Sequence, residues 1–151
     1  MHRTPTVDRD NAGSVAEHPR NGGEHPDKGN LLAVRADQPA RFVCSGFCFG
    51  HVHTSVCGRY FCCDEPRSGD IVVGSIRSGK HFVACNAGAI TAEINAEFGQ
   101  SGHAHPYLSP DLKWIVYNSC RTGRPAIHVA SVPEELMAEV ESKSRCSKER
   151  L

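Results

Sequence analysis

The feature that most constrains this chain is an internal repeat. The stretch His51–Asp64 lies against His105–Asn118 at an offset of 54 positions, 105 minus 51. Each unit runs histidine, turn, basic residue, aromatic, apolar strand and polar stop. Each is followed by an Arg-containing Gly turn and a second strand, Ile71–Ile76 or Ile127–Val132. Short runs of β-formers break at turn residues throughout Ala40–Val132: Pro66-Arg67-Ser68-Gly69, Arg77-Ser78-Gly79, Ser109-Pro110-Asp111 and Arg121-Thr122-Gly123. Repeats of roughly 40–50 residues built from strands are the pattern of propeller blades. The spacing therefore predicts an all-β fold, a partial β-propeller of about two four-stranded antiparallel blades.

The predicted strands are Arg41–Cys44, His51–Ser55, Arg59–Asp64, Asp70–Ile76, His81–Cys85, His105–Leu108, Lys113–Asn118 and Ala126–Val132. Asn86–Phe98 reads as a long connection, although its Ala, Glu and Ile content would support a short helix. Pro133 followed by Glu134 and Glu135 marks the start of a short C-terminal helix. Three regions follow: a disordered polar leader over 1–39, the blades over 40–142 and a charged tail over 143–151. The leader is mostly Asn, Gly, Pro, His, Asp, Arg and Glu, too polar to offset chain entropy by burial.

Charge and cysteine usage exclude several partner classes. The formal net charge is +0, which speaks against nucleic acid or an anionic membrane as partner. No apolar run approaches the ~20 residues of a membrane span, and the start lacks the apolar core of a secretory signal. A cytoplasmic protein is expected. The 8 cysteines form no C-x-x-C pair and sit in apolar runs such as Phe61-Cys62-Cys63, so they read as reduced thiols used as small hydrophobes.

The chemistry concentrates in Gln100-Ser101-Gly102-His103-Ala104-His105-Pro106 and in His51. On an extended strand His103 and His105 share a face, and Gln100 can come round beside them. His51 and His105 hold the same position in successive blades, so they would meet although far apart in sequence. Three imidazoles and an amide, His51, His103, His105 and Gln100, can hold one divalent cation and leave positions open. The competing reading is polar residues at a strand start. His81 and His128 read as ordinary strand residues, Tyr60 and Trp114 as packing residues between blades, and Arg121 and Arg124 as turn residues.

The block Gln100–Leu136, QSGHAHPYLSPDLKWIVYNSCRTGRPAIHVASVPEEL, resembles the C-terminal part of oligogalacturonate lyase, a seven-bladed propeller of pectin breakdown. That family carries Q-x-x-H-x-H-P-x-x-S-P-D here, then a D-R-T-G-type turn and a V-P-E helix start. His51–Glu65 is the second match. Cys57 and Cys120 stand where the family has turn aspartates. The resemblance implies a manganese ion held by His51, Gln100, His103 and His105. Ligand type alone would favour zinc, copper or iron for imidazoles, so manganese comes from the resemblance.

The implied reaction is β-elimination on short oligogalacturonides: a base takes the C5 proton, the C4 oxygen departs, and the metal holds the uronate carboxylate. The family's base histidine and substrate arginine have no match in this chain, which implies a truncated lyase; His53 is the residue in place to act as base. The alternatives are a catalytically inactive propeller fragment or a sugar- or protein-binding module. Open blade edges would allow self-association.

Overall fold

The structure, a computed structural model, describes residues 6–8, 13–18 and 30–142. Its elements are β1 (Thr6–Asp8), β2 (Gly13–His18), β3 (Asn30–Arg35), β4 (Arg41–Ser45), β5 (Gly50–Thr54), β6 (Tyr60–Glu65), β7 (Asp70–Ser75) and β8 (His81–Asn86). Then come α1 (Ala92–Phe98), a 3-10 turn (Gly99–Gly102), β9 (Tyr107–Leu108), β10 (Trp114–Ser119), β11 (Ala126–Ser131) and α2 (Glu134–Glu141).

The strands form three antiparallel sheets in which neighbours in sequence are neighbours in space: β1-β2-β3-β4, β5-β6-β7-β8 and β11-β10-β9. This is the blade pattern that the repeat predicts. The count differs, however: three sheets where about two were expected, and the third has three strands. The extra sheet comes from the region expected to be a polar leader. Asn30–Arg35 carries the apolar run Leu31-Leu32-Ala33-Val34, which pairs with both Gly13–His18 and Arg41–Ser45. Four apolar residues in a row suffice when a partner sheet covers one face. The rest of the leader and the charged tail 143–151 lie outside the described residues.

The central sheet explains why the arrangement holds. Residues of β6 and β7 are buried almost without a break, the pattern of a sheet covered on both faces. One face, with Tyr60, Cys62, Ile71 and Val73, packs against Leu108, Ile115 and Val132 of the third-sheet region. The other, with Phe61, Cys63 and Val72, packs against Leu31, Val43, Cys44 and Phe49. Burial pushes the Cys44 thiol up to about 12, so this cysteine packs as a hydrophobe and stays protonated. The β6–β7 turn needs Gly69: its φ is 77°, and a Cβ there would sit 2.2 Å from the Gly88 carbonyl carbon.

Two connections position the site. Asn86–Phe98, expected as a connection, contains α1, capped where the Thr91 hydroxyl accepts from the Ile94 N–H at 3.2 Å. The expected C-terminal helix is α2. It returns to the central sheet, where Ser78 Oγ donates to the Val140 carbonyl and Arg77 donates to the Glu141 carbonyl at 2.7 Å. No helix of the described residues is long and apolar enough to cross a membrane.

Phe61 is fully buried between the first two sheets. Phe61→Ala is expected to lower unfolding free energy by about 3–5 kcal/mol, measured by urea denaturation.

Candidate metal centre

The site begins with an irregularity in β5. Gly50 pairs with Asp64 and His53 with Cys62, so β5 carries one extra residue between these pairs. An extra residue bends the strand and re-aims a side chain. Here His51 adopts φ 36°, in the left-handed region. Its Nδ1 then lies 3.0 Å from both carboxylate oxygens of Asp64, a group only 1% exposed. A buried carboxylate accepts, so Nδ1–H donates and Nε2 keeps its lone pair. Gly50 leaves room for this contact: a Cβ there would come 2.6 Å from Asp64 Oδ1.

The other two imidazoles come from the loop before β9. Sequence reasoning puts His103 and His105 on one extended strand, but β9 starts only at Tyr107. His103 instead caps the 3-10 turn with extended backbone. His105 has φ 42°, a conformation that costs a non-glycine residue roughly 1–2 kcal/mol and is further disfavoured before proline. The two histidines still converge because the left-handed residue turns the chain, not because a pleat aligns them. His51 and His105, equivalent in the repeat, share this unusual backbone. Strain held at matched positions marks a functional constraint.

Each ring is anchored on its far side by an oxygen. His103 Nε2 lies 3.1 Å from Asn95 Oδ1 on α1. His105 Nε2 lies 3.2 Å from the Gln100 carbonyl, which accepts. With those N–H groups donating outward, the other nitrogen of each ring keeps its lone pair. His51 Nε2 and His103 Nδ1 stand 3.4 Å apart, and the ring centroids of His51 and His105 are 3.9 Å apart. One ligand nitrogen from each of the three falls within 4.8 Å of the others. Two inward lone pairs at hydrogen-bond distance repel unless a proton or cation lies between them. Burial, and then the neighbouring His51, hold His105 below the usual imidazole range, which favours the neutral, ligating form.

The donor set fits a divalent cation: three imidazoles, each with an oxygen acceptor on its outer nitrogen, as metal-ligating histidines usually have. Gln100 meets this cluster through its backbone carbonyl. His53 stands outside the three-imidazole group. It pairs with Cys62, its ring lies edge-on to Tyr107 with centroids 5.8 Å apart, and its Nδ1 is buried with no hydrogen-bond partner among the described residues. Burial lowers its pKa. Asp64 and Asn95 were missed by sequence reasoning. An acidic residue directly after the apolar run Tyr60–Cys63 was the available signal for Asp64; Asn95 carried none.

With the geometry in place, comparison with known proteins gives a consistent result. Over 66 residues the chain is 30% identical to the oligogalacturonate lyase of Dickeya dadantii (strain 3937), covering 44% of this chain and 17% of that protein. The relationship is oligogalacturonate-lyase-like. A solved oligogalacturonate lyase in complex with manganese superposes with a TM-score of 0.65 at 18% identity, over 84% of this chain and 37% of that one. The oligogalacturonate lyase of Vibrio parahaemolyticus gives 0.64 at 16%, over 82% and 37%. TolB from Acinetobacter baumannii gives 0.60 at 13%, over 83% and 28%. These structures show a propeller-type fold. The chain thus spans well under half the length of the lyases it matches. No family model matches it.

Two variants test the anchoring. Asp64→Asn keeps the shape but replaces the two-oxygen carboxylate by one neutral amide oxygen beside an N–H, which holds the Nδ1–H tautomer of His51 less strongly. It is expected to fold and to weaken binding of divalent metal by about 10–100-fold in calorimetric titration. His105→Gly is expected to be more stable than His105→Ala by about 1 kcal/mol in thermal melts, because glycine adopts the left-handed backbone without a Cβ clash.

Proposed function

We propose that the chain is an oligogalacturonate-lyase-like domain that binds a divalent cation, manganese, through His51, His103 and His105, with the Gln100 amide as fourth ligand. The observation that carries this reading is the trio of imidazoles with outer nitrogens bonded to Asp64, Asn95 and the Gln100 carbonyl. The solved relative is itself a manganese complex. A bound divalent cation would supply positive charge that grips a uronate carboxylate and disperses the charge developing on it as the C5 proton leaves. The protein's own part is orientation. The left-handed backbones at 51 and 105 aim the rings, and Asp64 fixes the tautomer of His51. The substrate class is short oligogalacturonides, the process pectin catabolism and the setting the cytoplasm.

A second reading keeps the metal and the sugar but not the catalysis. It is favoured by His53, the proposed base, whose Nδ1 has no hydrogen-bond partner among the described residues, so that no second group orients the ring towards a substrate proton. A base must reach the proton that it takes. In this reading the domain is a binding module or an inactive propeller fragment.

Adding manganese and oligogalacturonides and following the absorbance of the unsaturated product separates the two. Turnover that stops on chelation and is lost in His103→Ala is the expected outcome for a lyase. Binding of the sugar by calorimetry with no product supports the module. Neither turnover nor metal-dependent binding contradicts both. His103→Ala is preferred to His51→Ala as control, since removing His51 strands a buried carboxylate at a cost of about 3–5 kcal/mol.

A further inference from the structure

The proposed chemistry uses none of the 8 cysteines, yet one of them touches the loop that carries the histidines. Cys62 is 0% exposed in β6. Its Sγ donates to the Pro106 carbonyl at 3.3 Å, across 44 positions of sequence. Pro106 directly follows His105, the left-handed residue of the metal centre. Burial pushes the Cys62 thiol well above its ordinary range, so the sulfur keeps its proton and stays a donor. The Leu108 backbone N–H bonds to the same sulfur. Cys62 therefore does more than fill space as a small hydrophobe.

Strand geometry explains why a partner is needed there. Among the described strands β9 pairs with β10 alone. The Ser109 N–H donates to the Trp114 carbonyl at 2.9 Å, which makes 109 and 114 a hydrogen-bonded pair. Antiparallel pairs alternate, so the Leu108 N–H and the Pro106 carbonyl turn away from β10. Both residues are buried, and buried backbone groups need partners. The Cys62 thiol serves both, donating to the carbonyl at 106 and accepting from the N–H at 108. Asp64 lies on the same face of β6, opposite Ile71 as Cys62 is opposite Val73. Asp64 holds the His51 ring. One buried strand thus fixes one histidine by its ring and seats another by its backbone, and the two ring centroids lie 3.9 Å apart.

We infer that Cys62 is a positioning residue of the metal centre: its bond to the Pro106 carbonyl sets the backbone at His105 and with it the place of that imidazole beside His51. This rests on reading the three histidines as cation ligands. A side chain without a hydrogen-bonding group at 62 would leave the Pro106 carbonyl buried and unpaired. The loop would relieve that by rotating at His105, where the left-handed backbone is itself costly. Serine keeps a donor and an acceptor in nearly the same volume. A role in packing alone ranks the replacements the other way, since alanine suits an apolar strand better than a hydroxyl does.

Calorimetric titration of the full chain with manganese(II) tests this, at a temperature where far-UV spectra show each variant folded. Cys62→Ala is expected to weaken binding by about 10-fold or more, and Cys62→Ser to restore most of the loss. Hydrogen exchange on the unaltered, metal-free chain gives a second readout: the Leu108 amide is expected to exchange as slowly as the ladder amides of β10. Wild-type affinity in Cys62→Ala overturns the inference and leaves the metal centre standing. Binding by Cys62→Ser as weak as by Cys62→Ala also overturns it, because packing would then account for the effect. A wild-type chain that binds no manganese overturns both the metal reading and this one. Should Cys62→Ala not fold, the other two measurements decide: a fast Leu108 amide or weakened binding by Cys62→Ser overturns the inference, and a slow amide with binding kept in Cys62→Ser supports it.

Discussion

A carboxylate taken out of water has to be met by a donor, and here that requirement shapes the site. Asp64 is the buried acidic residue that follows the apolar run Tyr60–Cys63 of β6. The group within reach is the His51 ring, brought there by one extra residue in β5 and a left-handed backbone. Removing either partner leaves an uncompensated polar group in the interior. The bond therefore does two things: it satisfies the end of β6, and it points one imidazole nitrogen towards the loop of the next sheet. The cost of the strained backbone at 51 is offset by that contact.

The second contribution comes from the neighbouring sheet. Its loop bends through His105 and hangs on the Gln100 carbonyl and on Asn95 of α1. Neither sheet alone holds three inward-facing imidazoles. The centre exists because packing of Ile115 and Leu108 against Ile71 and Val73 fixes the distance between the sheets. Fold and site are thus one problem: the blade-to-blade core sets the spacing at which the histidines meet.

Much of this was legible in the sequence, for definable reasons. Strands β4 to β8, β10 and β11 were readable because turn residues bracket runs of Val, Ile, Phe and Tyr. The meeting of His51 with His105 was readable because the repeat puts them at equivalent positions. The first sheet was hidden because Leu31–Val34 is a short apolar run in a polar setting, and pairing with distant partners decided its fate. The turn at His105 was hidden because histidine carries no signal for a left-handed backbone. Asn95 was hidden because its role depends on where α1 lands in space.

The central claim is that three imidazoles are held, before any cation arrives, with one nitrogen each turned inward. Nitrogen-15 spectra of the histidine rings in the metal-free chain read this directly. The account predicts His51 as the Nδ1–H tautomer and His103 and His105 as Nε2–H tautomers, with the three inward nitrogens shifting together when a diamagnetic divalent metal is added. A His51 ring protonated at Nε2 in the neutral form, or metal that shifts none of the three, would contradict it.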